Sequence, residues 1–299
     1  MVAKNPALGV LSNLRFRNPD DFQAGSLHAH PAVWEKMFSD VSHGHVDPMA
    51  IINEGVNVEQ FLTHFKVDFK GESFDSDPPP PIVLENSKFC AQFSDFISTT
   101  ILQWVSAGVL SVWGEIGQVS LLYLVLPLTV EPSKPRLYHY ERYLNLWIKD
   151  LLFKLDHLSD LPRYVLPGHY QTTFDEKSGY HHVCLHPSSR TFFDLQWQGF
   201  YFTFCTLPFG WKASAFLYHN LGLAVSGATR SFGVPLSQYI DDRHLGQLLV
   251  QSSKQPCAPS YQNAEATAYI LCYMLVEAGY FVNLSQSQCT QSTDRKSVV

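Results

Sequence analysis

The stretch LSQYIDDRHLGQ, from Leu236 to Gln247, constrains the fold of this chain more than any other. Two short strand-forming runs flank Asp241 and Asp242 with room between them only for a tight turn, so the segment predicts a β-hairpin with an acidic tip. Like charges side by side repel, and burying unpaired carboxylates costs a great deal, so such a tip must face solvent or a cation. Aspartate is also a common turn residue, and the pair alone predicts a turn as readily as a site.

The remaining pattern supplies a sheet for this hairpin to join. QTTFDEKSGYHHVCL reads as a strand ending near Asp175, a glycine-containing bend and a second apolar run, and RTFFDLQWQGFYFTFC as two aromatic strands around a Gln198-Gly199 turn. LPFGWKASAFLYHNLGLAVSGATRS predicts a loop and then a helix from about Lys212. YQNAEATAYILCYMLVEAGYFVN predicts a helix stopped by Gly279 before a short strand. Further upstream, NSKFCAQFSDFISTTILQWVSAG has Phe89, Phe93, Phe96, Ile97, Ile101, Trp104 and Val105 at helical spacing, with Asn86 or Ser87 as cap and Gly108 as stop. LLYLVLPLTV, EPSKP and RLYHYERYLN follow as strand, turn and strand, with Lys134 at the tip and Arg136 just past it. On spacing alone those two cations read as a solvated turn.

Strands and helices alternate with hairpins, which predicts an α+β fold with a mixed or antiparallel sheet backed by helices on one face. The chain divides into residues 1–84, a polar extension closed by the proline-rich linker ESFDSDPPPPIV; residues 85–169, a helix plus a β-hairpin; and residues 170–299, interrupted by an insertion at about 186–211.

At 299 residues, 45% hydrophobic and 14% aromatic, the chain can fill a sizeable core. A formal net charge of −6 argues against a surface basic throughout, while leaving room for a local basic groove. The six cysteines form no CxxC pair and follow no secretory leader, so an intracellular protein is expected, in cytoplasm or nucleus. None of the histidine pairs (His28/His30, His43/His45, His181/His182) belongs to a four-ligand zinc set. The run FISTTILQWVSAGVLSVWG is broken by Thr, Ser and Gln, so no membrane span is expected.

In such a sheet the strand ending at Asp175 can lie beside the acidic tip, and Asp175, Asp241 and Asp242 would converge. Hard carboxylate oxygens at that density suit Mg²⁺, with Mn²⁺ a possible substitute. Two such ions about 3.5–4 Å apart are the arrangement of phosphoryl-transfer enzymes.

In this order, KPRLYHYERYLN, FDEKSGY, LPFGWKAS, YIDD and AGYFVN resemble the successive motifs of a reverse transcriptase. The wording around them, LPLTVEPSKPRL, RYLNLWIKD, LPFGWKASAFLYHNLGL and YIDDRHLG, is similar to that of DIRS-like retrotransposons that carry a tyrosine recombinase. The likeness runs from about Phe65 to the C-terminus. It implies a right-hand polymerase with fingers at 85–169 and palm at 170–299, the 186–211 insertion belonging to the fingers and the thumb absent. It implies that Asp175 and Asp241 are the principal metal ligands, with Asp242 the third acidic residue of the catalytic set. By the same resemblance Lys134 and Arg136 grip the incoming triphosphate, Tyr180 lies under the sugar and rejects ribose, and Phe209, Gly210 and Trp211 form the loop packing on nucleotide and template. The implied partners are an RNA or DNA template with its primer and deoxynucleoside triphosphates, with no membrane; the sequence leaves oligomeric state open. Tyr140 stands where the family usually has aspartate, Gln286 near a usual lysine, and Ser178 at an often acidic position. These departures support a second reading: a catalytically weak or inactive remnant acting as a nucleic-acid or protein binding module. A small metal-dependent nuclease is disfavoured, having no use for Lys134, Arg136 and Tyr180 together.

Overall fold

The computed structural model describes residues 19–38, 47–249, 258–283 and 287–291. His43, His45, Cys257 and Gln286 lie outside these residues. In chain order the elements are α1 (Pro31–Phe38), α2 (Pro48–Glu54), β1 (Phe65–Phe69), β2 (Glu72–Ser76), β3 (Ile82–Val83), α3 (Ser94–Ser106), β4 (Leu110–Glu115), β5 (Leu124–Val125), β6 (Leu128–Val130), β7 (Leu137–His139) and α4 (Arg142–Asn145). The second half continues with β8 (Tyr170–Asp175), β9 (Asp194–Trp197), β10 (Phe200–Phe204), α5 (Lys212–Ser231), β11 (Leu236–Tyr239), β12 (Asp242–Gly246), α6 (Tyr261–Glu277) and β13 (Gln288–Gln291).

Two larger sheets organise these strands. A four-stranded antiparallel sheet runs β11-β12-β8-β13, and a five-stranded mixed sheet runs β3-β5-β9-β10-β4, parallel at β3-β5-β9 and antiparallel beyond. Small hairpins β1-β2 and β6-β7 complete the set. Helices α5 and α6 pack on the four-stranded sheet, α5 against β11 and α6 against β8 and β12. The α+β expectation therefore holds, as does the acidic hairpin, whose strands pair Leu236 with Leu245 and Tyr239 with Asp242. The β9-β10 turn holds too: Gln198 and Gly199 both take positive φ, 46° and 82°, as a type I′ hairpin turn requires.

Three local readings change. The helix after Ser87 opens as a 3₁₀ segment, Lys88–Phe93, capped by the Ser87 side chain accepting from Phe89 N, before the α-helix proper starts at Ser94. Phe89 then falls off the apolar stripe and is 52% exposed, while Ile97 and Ile101 are buried. The strand expected after Gly279 is a one-residue bridge between Val282 and Glu176, and β13 occupies the sheet edge instead.

The largest change concerns residues 1–84. In their described part, Leu27, Trp34, Ile52, Val56, Val58 and Phe61 are each at most 1% exposed and belong to the main core. Trp34, Met37 and Phe38 give α1 its buried face, and Asp47 caps α2 by accepting from Met49 N at 2.9 Å. Main-chain bonds stitch this layer to the second half: Gly25 N to His181 O and Val56 N to Cys184 O, each 2.9 Å, with Trp34 Nε1 donating to Ala278 O at 3.1 Å. The proline run is a strap rather than a free linker: Tyr123 and Tyr143 donate their hydroxyls to Pro79 O and Pro80 O.

Candidate active site

Strand β8 ends at Asp175 and β12 begins at Asp242, and the register sets the two directly opposite each other. Side chains of opposed residues share one face of a sheet, so both carboxylates leave the sheet together. Asp241 lies in the two-residue turn between β11 and β12, after Ile240 at φ 56°. A β-branched residue in the left-handed region is strained, and such strain persists only where neighbours hold it. Gln238 Nε2 donates to Ile240 O and Glu176 N to Asp241 O, both at 3.2 Å, and these bonds pin the turn.

Each carboxylate has its own surroundings. Asn283 orients Asp175 twice, its amide donating to Oδ2 at 2.8 Å and its main-chain N to the Asp175 carbonyl at 2.7 Å. Burial pushes the Asp241 carboxyl above the ordinary range, and the charges of Asp242 and Asp175 push it further. Asp242 is raised by burial and then by Asp175. The three acids are thus electrostatic neighbours, but among the described residues no group of three or more His, Cys, Asp or Glu side chains forms a preformed metal cage. The register nevertheless brings Asp175 and Asp242 to one edge of the sheet with Asp241 in the adjoining turn. Their donor chemistry, all hard oxygen, fits a divalent cation whose remaining positions are filled by water and phosphate. Beside them opens a cavity of about 920 Å³, with Asp175, Asp242, Thr173, His244 and Tyr239 in its wall.

Successive strand residues face opposite ways, so Glu176 and Arg243, each next to a catalytic candidate, point behind the sheet. There they form a fully buried ion pair, Arg243 Nε to Glu176 Oε1 at 2.6 Å. Arg243 Nη1 also donates to Ser226 Oγ, to Gln238 Oε1 at 3.2 Å and to Gly222 O at 3.3 Å, and its guanidinium lies 5.7 Å from the Tyr280 ring. Tyr218 donates its hydroxyl to Glu176 Oε2. Sequence reasoning missed this layer and Asn283; its one visible signal is a further charged residue directly after each acid, Glu176 in FDE and Arg243 in DDR.

Tyr180 sits in the 3₁₀ turn Gly179–His182, its ring 4.6 Å from Phe209 and 5.5 Å, edge-on, from Tyr218. Burial, then the charge of Asp241, pushes its hydroxyl up to about 12, so the hydroxyl stays protonated. A Cβ on Gly179 would lie 3.4 Å from Asp241 Oδ2, so the Tyr180 backbone runs close against the acidic turn.

The structure separates the members of the Phe209-Gly210-Trp211 loop. Phe209 is 38% exposed, whereas Trp211 is buried between Phe61 and Phe193, at 5.6 and 5.2 Å, and faces the core. Gly210, at φ 114°, is needed for contact with the β6-β7 hairpin, since a Cβ there would meet His139 O at 2.3 Å. Asn145 clasps the same loop, donating to Gly210 O and accepting from Lys212 N, both at 2.8 Å. The β6-β7 hairpin carries Lys134 and Arg136, both exposed, so these cations belong to the element on which the Phe209 loop rests. Tyr140, at the base of the same hairpin, is 46% exposed.

No family model and no curated protein matches the chain. Solved structures do. A foamy viral protease-reverse transcriptase in complex with an RNA/DNA hybrid aligns with a TM-score of 0.54 and 18% identity over 71% of this chain and 26% of that one. The dRH form in complex with double-stranded DNA aligns at 0.56 and 15% over 86% of this chain and 43% of that one. Native prototype foamy virus protease-reverse transcriptase aligns at 0.52 and 20%. The chain spans between about a quarter and less than half of the solved proteins it matches. The likeness is one of fold: this mixed α+β chain has a reverse transcriptase-like architecture.

Proposed function

We propose that the chain is the fingers and palm of an RNA-directed DNA polymerase of the DIRS-like type, transferring deoxynucleotides to a primer 3′-hydroxyl. The observation carrying this reading is the register of Asp175 opposite Asp242 with Asp241 in the adjoining turn, inside a reverse transcriptase-like fold. Asp175 and Asp241 would hold two Mg²⁺ ions, replaceable by Mn²⁺, with Asp242 in support; when bound, such ions activate the attacking hydroxyl and stabilise the leaving pyrophosphate. The chain's own residues bind and orient. Asn283 holds the Asp175 carboxylate in one direction, and Glu176 N holds the turn carrying Asp241. Lys134 and Arg136 neutralise the triphosphate, a guanidinium and an ammonium being suited to polyphosphate oxygens. Tyr180 blocks a ribose 2′-hydroxyl, and Phe209 flanks it; Trp211 acts from below as the loop's anchor. The solved counterparts carry an RNA/DNA hybrid or double-stranded DNA, which supports a primed RNA or DNA template as partner here.

Primer extension on an RNA template with deoxynucleotides and Mg²⁺ tests the reading, beside an Asp241→Asn control. Extension by the wild type and its loss in the variant is expected. Template binding without extension by either protein would instead favour a catalytically silent binding module, a reading that the exposed Tyr140, in place of an aspartate, already supports.

A further inference from the structure

The Tyr180 ring has two supports of different rigidity. Phe209 belongs to a loop and is 38% exposed. Tyr218 lies on α5 with no measurable exposure, and its hydroxyl is bonded to Glu176, itself ion-paired with Arg243. Tyr218 meets Tyr180 edge to face, at 5.5 Å and 73°, a geometry that aromatic rings favour. Its other ring neighbours, Tyr280 at 6.1 Å and His182 at 6.4 Å, are buried as well. Charge-assisted bonds are short and strongly oriented, so the guanidinium, through Glu176, fixes where the Tyr218 ring stands. Tyr218 in turn limits how far Tyr180 can retreat from the turn that carries Asp241. The ion pair flanks Asp175 and Asp242 in sequence, so one buried layer sets both the carboxylates and the aromatic wall.

We propose that Tyr218, itself held by Glu176 and Arg243, is a positioning residue that sets the preference for deoxynucleotides over ribonucleotides by holding Tyr180 in place. This rests on the proposed polymerase function and adds to it: discrimination comes from the wall behind Tyr180 as well as from Tyr180. A steric block works only while the blocking ring cannot move aside, and displacements on the order of 1 Å suffice to change reaction rates by about two orders of magnitude.

The test measures kcat/KM for deoxynucleotide and ribonucleotide in primer extension, for wild type, Tyr218→Phe and Tyr218→Leu. A second readout needs no turnover: protection of the same proteins against thermal unfolding by dATP and by ATP. Tyr218→Leu removes the ring and should lower the deoxy-to-ribo ratio roughly tenfold or more, and Tyr218→Phe, which keeps the ring but frees it from Glu176, by a few-fold. Tyr218→Phe should fold as the wild type does, which keeps the test open if Tyr218→Leu does not. ATP protection should rise in both variants relative to dATP protection. A loss of activity equal for both sugars, with the protection ratio unchanged, would mean a merely structural Tyr218 and would overturn the proposal while leaving the polymerase reading intact. A wild type that neither extends a primer nor is protected by either nucleotide would overturn both.

Discussion

Behind the acidic hairpin, Arg243 meets Glu176, Ser226, Gln238 and a main-chain carbonyl, whereas between the β6-β7 hairpin and β9 His139, Glu141 and Asp194 lie equally buried with far fewer partners. In the first cluster Tyr218 completes Glu176, and within the ion pair Arg243 Nη2 alone has no hydrogen-bond partner. In the second, His139 Nδ1 and Glu141 Oε1 form an ion pair at 2.5 Å, and Asp194 Oδ2 has no hydrogen-bond partner. Burial opposes a charge on His139 most strongly, but Glu141 and Asp194 together outweigh it and raise its pKa; burial raises Glu141. Asp194 is pushed up to about 7, chiefly by burial. A densely paired buried network fixes geometry, while a sparsely paired one remains sensitive to protons. The rigid cluster underlies the carboxylates, and the sensitive one underlies the junction of the β6-β7 hairpin with the Phe209 loop.

Breaking the first cluster should give the largest effect. Arg243→Met leaves Glu176 buried without its counter-charge and is expected to cost about 3–5 kcal/mol in denaturant unfolding. The double replacement Glu176→Leu, Arg243→Met should recover most of that loss. If the single and double variants are equally destabilised, the pairing does not set stability here.

The second cluster should show itself in pH dependence. The folded pKa of Asp194 lies above its ordinary 3.8, at about 7, so its contribution to stability is complete below 3.8 and is lost as pH rises to about 7. Over that window wild-type melting temperature should fall relative to Asp194→Asn, and above it the two profiles should run parallel. Coincident profiles would show that Asp194 is ionised in the fold at acidic pH.

A smaller change is expected where the clusters' territories meet. Asn145→Ala removes both bonds that clasp Gly210 and Lys212, at about 1–2 kcal/mol by analogy with helix caps, and should weaken nucleotide binding more than it lowers the melting temperature. Smallest of all, Ile240→Gly relieves a positive φ and should stabilise the fold by up to about 1 kcal/mol, at the expense of the turn that orients Asp241. A neutral or destabilising Ile240→Gly in thermal melts would place the compensation elsewhere in the turn.

Much of the second half was legible because its signals are local. Alternation and turn residues predicted β8, β9, β10, β11 and β12, and the helix from Lys212 begins where its pattern begins. The acids were legible as a set, since a turn between strands leaves Asp241 and Asp242 little other place. The pairing of Glu176 with Arg243 was not legible, because it depends on the register of two strands 67 positions apart in sequence. Trp211 illustrates the opposite error: motif position suggested a ligand contact, and packing against Phe61, far earlier in the chain, turned it inward. Residues 19–38 and 47–64 escaped notice for the same reason: their apolar side chains lie in short helices and 3₁₀ turns and are buried against partners distant in sequence.

That stitching limits how the protein can be divided for expression. A chain begun at residue 85, where composition suggests a boundary, would bare the ring pocket around Trp34, the strand edge at Cys184 and the corner at Gly279, which Ser26 O approaches so closely that a Cβ there would lie 2.4 Å from it. Such a truncated product should collect in inclusion bodies, and soluble yield should return only when the α1 and α2 segment is restored or co-expressed as a separate fragment.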